Sequence, residues 1–194
     1  QEIFEMIAIR DIQSAADALR AVYESTNGVD GYASLELPPT IAHDTEATVR
    51  EGLRLFHALD RPNAMIKVPA TPEGIHAFRQ LTAHGVNVNV TLIFSLKAYA
   101  HVMEAYLDGL EDHQGSLATI ASVASFFVSR VDTAVDPLID ARIELHDDSQ
   151  SISTLLGTAA IANAQAAYGN FQQIFSSARF ERLKKRGAHP QRPL

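Results

Sequence analysis

The stretch "NAMIKVPATPEGIHAFRQLTAHGVNVNVTLIFS", Asn63 to Ser95, decides the fold. It opens with an apolar run, "AMIKVP" (64–69), short enough for a strand and bounded by proline. A helix start follows: Thr71 is an N-cap type, Pro72 suits the first helical position, and Glu73 suits the positive helix end. Gly85 suits the stop, and "VNVNVTLIF" (86–94) then alternates polar and apolar residues as a strand does. The whole reads as strand, helix, strand. Lys67 is the odd residue, a cation inside an apolar run. Such a side chain either reaches a wet edge or sits in a dry pocket, where a neutral amine can act as a nucleophile.

The same rhythm extends in both directions. "GYASLEL" (31–37) and "SVASFFVSRV" (122–131) read as two further strands. Asp44 is a cap for a helix through "TEATVREGLRLFHAL", with Val49, Leu53 and Phe56 as its buried face. Ser95 precedes a helix whose stripe is Tyr99, Val102, Met103, Tyr106 and Leu110. The segment from Ser153 to Gly187 is Ala-rich and helical, with Gly157 and Gly169 as weak points. Repeated strand–helix units predict one α/β domain over residues 1–194 with a parallel sheet, either doubly wound or closed as a barrel. No Gly-rich phosphate loop follows any of the strands, which disfavours a nucleotide fold.

Alternate side chains of a strand point to opposite faces, so parity separates packing from function. One face carries Ser34 and Glu36, then Met65 and Lys67, then Asn87, Asn89 and Thr91, then Ser125, Phe127 and Ser129. The other carries Leu35 and Leu37, Ile66 and Val68, Val88, Val90 and Leu92, and Phe126 and Val128. Polar groups converging on one face of four strands describe the inner face of a β/α barrel, whose reaction site lies at the C-terminal strand ends. Plainer readings exist for each group. Glu36 and Lys67 could be a buried ion pair, Asn89 and Thr91 a satisfied polar core pair, and Ser125 and Arg130 a strand-end hydroxyl and a surface cation.

Composition narrows the classes further. The 194 residues are 46% hydrophobic and 20% charged with mean hydropathy near zero, enough for a sizeable core. A net charge of −7 argues against a nucleic-acid partner, which asks for a basic footprint. The basic run "RFERLKKRGAHPQR" reads as a solvated helix end. No apolar run is long enough for a membrane span, and no signal-peptide pattern opens the sequence. Cysteine is absent and the eight histidines lack ligand spacing, so no metal site and no cofactor are expected, and a cytoplasmic location is.

At "MIKVPATPEGIHA" (65–77), "GVNVNVTLIFS" (85–95) and "SVASFFVSRVD" (122–132) the sequence resembles the transaldolases, Schiff-base aldolases of the pentose phosphate pathway. "DGYASLELPP", "GTAAIANAQAAY" and the closing "GAHPQRPL" are similar to the longer members, and the likeness runs over essentially all of the sequence. The resemblance implies that Lys67 is the Schiff-base lysine, and that Glu36 and Thr91 together hold the catalytic water. It implies that Asn89 contacts the ketose hydroxyls, that Ser125 and Arg130 grip the sugar phosphate, and that Phe127 forms the pocket wall between them. The implied reaction moves a dihydroxyacetone unit between sugar phosphates such as sedoheptulose 7-phosphate and glyceraldehyde 3-phosphate.

The resemblance also implies an eight-stranded barrel, usually of about 250 residues or more, of which the four strands read here match the third to sixth. With Gln1 at its start, the sequence is then expected to be a central piece. It would lack the family's acid/base aspartate, an active-site asparagine and a further phosphate-binding part, and would turn over little alone. Open sheet edges would invite self-association or pairing with the other barrel segments. Two alternatives stand beside the transferase reading: a fructose 6-phosphate aldolase-like lyase, and a non-catalytic half barrel that binds a sugar phosphate or oligomerises.

Overall fold

A computed structural model describes residues 2–143 and 149–194. A long helix, α1 (Glu2–Ser25), leads into β1 (Ala33–Glu36), followed by α2 (Thr45–Leu59), β2 (Ala64–Pro69), α3 (Pro72–Ala83), β3 (Val88–Ile93), α4 (Leu96–Asp112) and β4 (Ser122–Phe126). Then come α5 (Ser129–Ile143), α6 (Ser149–Ser153), α7 (Ala159–Phe175), α8 (Ala178–Lys184) and β5 (Arg192–Pro193). The five strands form one parallel sheet in the order β1-β2-β3-β4-β5. A doubly wound sheet reverses its strand order, and this one does not. With right-handed crossovers, sequential order puts the helices on one face and leaves the other bare, the arrangement of a TIM-type barrel wall.

The caps read from the sequence form as expected. Asp44 accepts from the Ala47 amide, Thr71 from Gly74 and Ser95 from Ala98, and Gly85 turns the end of α3 with φ +80°. The core lies between the sheet and α2, α3 and α4. Ile66, Val68, Val88 and Val90 meet Phe78, Leu81 and the whole expected stripe of α4, all fully or almost fully buried. Phe78 and Tyr106 stack with ring centroids 6.0 Å apart. Among the described residues, no helix is long and apolar enough to cross a membrane.

Several expectations need correction. The buried stripe of α2 is Ala47, Thr48, Gly52, Leu55 and Leu59, while Val49, Leu53 and Phe56 are only half-buried at its margin. The strand expected over 122–131 stops at Phe126, and the helix α5 begins at Ser129, so Arg130 belongs to a first helical turn. Parity in β3 fails after Thr91. Leu92 takes φ +59° at a register shift and turns outward, and Ile93 rather than Leu92 enters the core. A bulge of this kind re-aims side chains beside a site, and positive φ at a leucine stores strain there. The Ala-rich helix breaks at Gly157 (φ +68°) but runs through Gly169, and breaks again at Ser176. β5 adds a fifth strand to the four expected.

Two buried tyrosines on α4 make opposite predictions. The Tyr106 hydroxyl donates to the His189 carbonyl at 3.1 Å, whereas the Tyr99 hydroxyl is buried with no partner among the described residues. Burial pushes both phenols well above their ordinary pKa. An unpaired buried hydroxyl carries a desolvation cost, so Tyr99→Phe is expected to gain about 1 kcal/mol and Tyr106→Phe to lose about as much, read by urea unfolding.

An ionic network joins α8 to α4: Arg179 reaches Glu104 and Asp108 at 2.6 Å and Glu111 at 2.7 Å. The Arg179 hydrogen bond holds the Glu111 carboxyl below its ordinary range, partly opposed by desolvation. A depressed carboxylate stabilises the fold above its unfolded pKa, and that share is lost as pH falls through the folded value. Water and salt screen these half-exposed groups, so Arg179→Ala should cost only about 1 kcal/mol at pH 7. The gap between variant and parent melting temperatures should shrink below about pH 4.

Candidate active site

The register of the parallel sheet sets the polar face. Glu36 pairs with Lys67 across β1 and β2, Lys67 with Asn89 across β2 and β3, and Pro69 with Thr91 one step further along. Directly paired residues of adjacent strands share a face, so Glu36, Lys67 and Asn89 stand in a row on the side opposite the helices. Lys67 Nζ lies 3.8 Å from Glu36 Oε2. The two side chains keep 30% and 57% of their exposure, so this is not a buried ion pair filling a closed interior. Alternate residues of β2 make the contrast: Ile66 and Val68 are fully buried under the helices, while Lys67 between them faces the open side.

Asn89 is the best-held polar group of the row. Its Nδ2 donates to Ser34 Oγ at 3.2 Å, and its Oδ1 accepts from Ser125 Oγ at 2.9 Å. The amide therefore links β1, β3 and β4 across the bare face, with its oxygen and nitrogen ends assigned by their partners. An amide keeps a second N–H and a second lone pair beyond these two bonds, which is what a ligand hydroxyl needs. Thr91 follows on the same parity and is almost fully buried. Parity had already put Ser34 on this face, but its role as clamp of Asn89 depends on cross-strand register and is visible only in the fold.

Phe127 and Arg130 lie past the end of β4 rather than on its inner face. The Phe127 amide donates to the Ile93 carbonyl at 2.8 Å, which holds the chain as it leaves the sheet. The Arg130 guanidinium carbon lies 5.0 Å from the Phe127 ring centroid, a cation–π contact, and Phe127 in turn packs on Phe94 at 5.0 Å. The structure thus gathers Glu36, Lys67, Asn89, Thr91 and Ser125 on one face and puts Phe127 with Arg130 at its C-terminal rim.

A cleft of about 610 Å³ opens beside the end of β1, lined by Phe4, Leu35, Glu36, Leu37, Pro39 and Leu92. Glu36 lines it; Lys67 does not. A hollow of about 400 Å³ on the bare face, toward the strand starts, includes Ser34, Met65, Asn89 and Gln191 in its walls. A larger groove, about 670 Å³, runs between α3 and α4 on the opposite side of the sheet, away from this polar row.

A row of one amine, one carboxylate, one clamped amide and hydroxyls on a parallel sheet, with a cation at the strand ends, suits carbonyl chemistry on a polyhydroxylated anion. A family model described as transaldolase/fructose-6-phosphate aldolase matches residues 1–184. The chain belongs to the transaldolase/fructose-6-phosphate aldolase family. It is 51% identical over 197 residues to a transaldolase of Thermobifida fusca, and 53% identical over 191 residues to one of Saccharopolyspora erythraea. A transaldolase of Trichodesmium erythraeum is 44% identical over 199 residues. These alignments take in 97–100% of this chain and 50–52% of each relative. The chain spans about half the length of the curated transaldolases it matches.

Proposed function

We propose that this chain carries the imine-forming half of a transaldolase active site, with Lys67 as the nucleophile. The observation that carries the reading is the row Glu36, Lys67, Asn89 on one bare sheet face, in a chain of this family. The neutral Lys67 amine adds to the ketose carbonyl, and the resulting hydroxyl leaves as water to give an imine. Glu36 and Thr91 support the water that moves protons in these steps. In the complete active site the protonated imine then draws in the electron pair of the breaking carbon–carbon bond. The neighbouring hydroxyl gives its proton to the family's acid/base carboxylate, outside this row, and its carbon becomes the carbonyl of the departing aldose phosphate. A dihydroxyacetone unit stays on Lys67 as an enamine until an acceptor aldose phosphate takes it. Asn89 orients the ketose hydroxyls, and Ser125, Phe127 and Arg130 receive the phosphate end. No cofactor enters this scheme.

Sugar phosphates are the proposed substrates. The cysteine-free composition supports a cytoplasmic setting. β1 pairs only with β2 among the described residues, and this open edge supports self-association or pairing with further barrel segments.

Borohydride reduction with fructose 6-phosphate, read by intact mass, separates the readings. An adduct the size of the whole sugar phosphate, from imine formation without bond cleavage, is the expected result. A dihydroxyacetone-sized adduct means that the chain also cleaves the carbon–carbon bond. Free dihydroxyacetone released without any acceptor favours the lyase branch, and saturable binding with no adduct favours a binding module.

A further inference from the structure

Arg130 rides on a helix that the core does not hold. None of the described side chains of α5 is buried, and α5 packs chiefly on α6 and α7. Two of its carboxylates make polar ties instead. Asp132 Oδ1 accepts from the Ala160 amide at 2.7 Å, and Asp136 Oδ1 accepts from the Gly157 amide at 3.1 Å. The Ala160 amide lies in the first turn of α7, where Thr158 provides no side-chain cap, and the Gly157 amide lies in the turn just before it. Asp132 thus caps α7 from outside, satisfying an orphan amide and meeting the positive helix end, and Asp136, one helical turn further along α5, holds the turn that leads into α7. α7 is fixed to the site in turn: Asn163 Nδ2 donates to the Phe94 carbonyl at 2.9 Å, and the Phe94 ring packs on Phe127, under Arg130. A ring of contacts therefore runs from Arg130 through Phe127, Phe94, Asn163 and α7 back to Asp132, two residues from Arg130.

We infer that Asp132 is a positioning residue: it pins the first turn of α5 to α7 and so sets where Arg130 meets the substrate's phosphate. Asp132 need touch no substrate. The inference rests on the reading of Arg130 as the phosphate grip.

The test uses the full chain with Asp132→Ala, Asp132→Asn and Arg130→Ala, followed two ways. Hydrogen–deuterium exchange reports on α5, and the concentration dependence of borohydride trapping is compared for fructose 6-phosphate and fructose. Asp132→Ala should speed exchange over 129–143 and raise the half-saturating concentration of fructose 6-phosphate about tenfold, with fructose nearly unchanged. Asp132→Asn keeps an acceptor oxygen and should stay close to the parent by both readouts. Unchanged exchange in Asp132→Ala overturns the inference, and so does faster exchange with no loss selective for the phosphorylated ketose while Arg130→Ala shows that loss. If Arg130→Ala affects both ketoses alike, the phosphate-grip reading has failed first and the inference falls with it. If the parent traps neither, the imine reading has failed, and the same comparison is made on direct binding of the two ketoses, with the same outcomes for the inference.

Discussion

Replacing Lys67 with alanine is expected to abolish the borohydride-stable adduct with fructose 6-phosphate entirely, because no other side chain on the bare sheet face is a primary amine. The other lysines, Lys97, Lys184 and Lys185, belong to α4 and the end of α8. The substitution should leave the fold in place. Lys67 contributes its aliphatic stem to a partly open face, while the packing of β2 comes from Ile66 and Val68 on the other side. Circular dichroism and a urea titration close to the parent's would show that the loss is chemical. An undiminished adduct in the variant would remove Lys67 from the mechanism.

Arg130→Ala is the second large effect, and its signature is selectivity. A guanidinium on a phosphate contributes charge-assisted hydrogen bonds, each of about 1.5–3 kcal/mol, so losing one should weaken a phosphorylated ketose by about 10- to 100-fold. The unphosphorylated sugar has nothing there to lose. Arg130 also lies over Phe127, so the substitution exposes that ring. Arg130→Lys separates the two effects: it retains a cation while losing the planar fork that matches a phosphate. The lysine variant should recover part of the phosphate selectivity. Equal weakening of fructose and fructose 6-phosphate in Arg130→Ala would count against a phosphate role.

What the sequence could reveal follows from which interactions are local. The caps at Asp44, Thr71 and Ser95 bond to amides three residues on, so residue type and spacing suffice to find them. The α4 stripe is legible because its buried residues are large and apolar. The α2 stripe is not, since that helix approaches its neighbours through Ala47, Thr48 and Gly52, small or polar residues that no hydrophobic pattern marks. Parity found the row Glu36, Lys67, Asn89 because period-2 alternation holds through Thr91. It failed at Leu92, where the backbone takes a left-handed conformation that the leucine itself does not announce.

The aromatic and β-branched residues of "FFVSRV" extended the expected β4 too far, because the chain turns into α5 through contacts with β3 and α7 that lie outside the segment. β5 was missed for the opposite reason: two residues, one of them proline, give almost no strand signal. Asp132 had no legible role either, as its partner amide is 28 residues away. The site's chemistry was therefore written in single strands, and the parts that aim it were written in the fold.

Whether Lys67 forms the imine is decided by peptide mapping of the chain after reduction with borohydride in the presence of fructose 6-phosphate. One modified peptide is expected, containing "AMIKVP", with the added mass on Lys67. Modification at Lys97, Lys184 or Lys185 instead, or a folded chain that carries no adduct on Lys67, would contradict it.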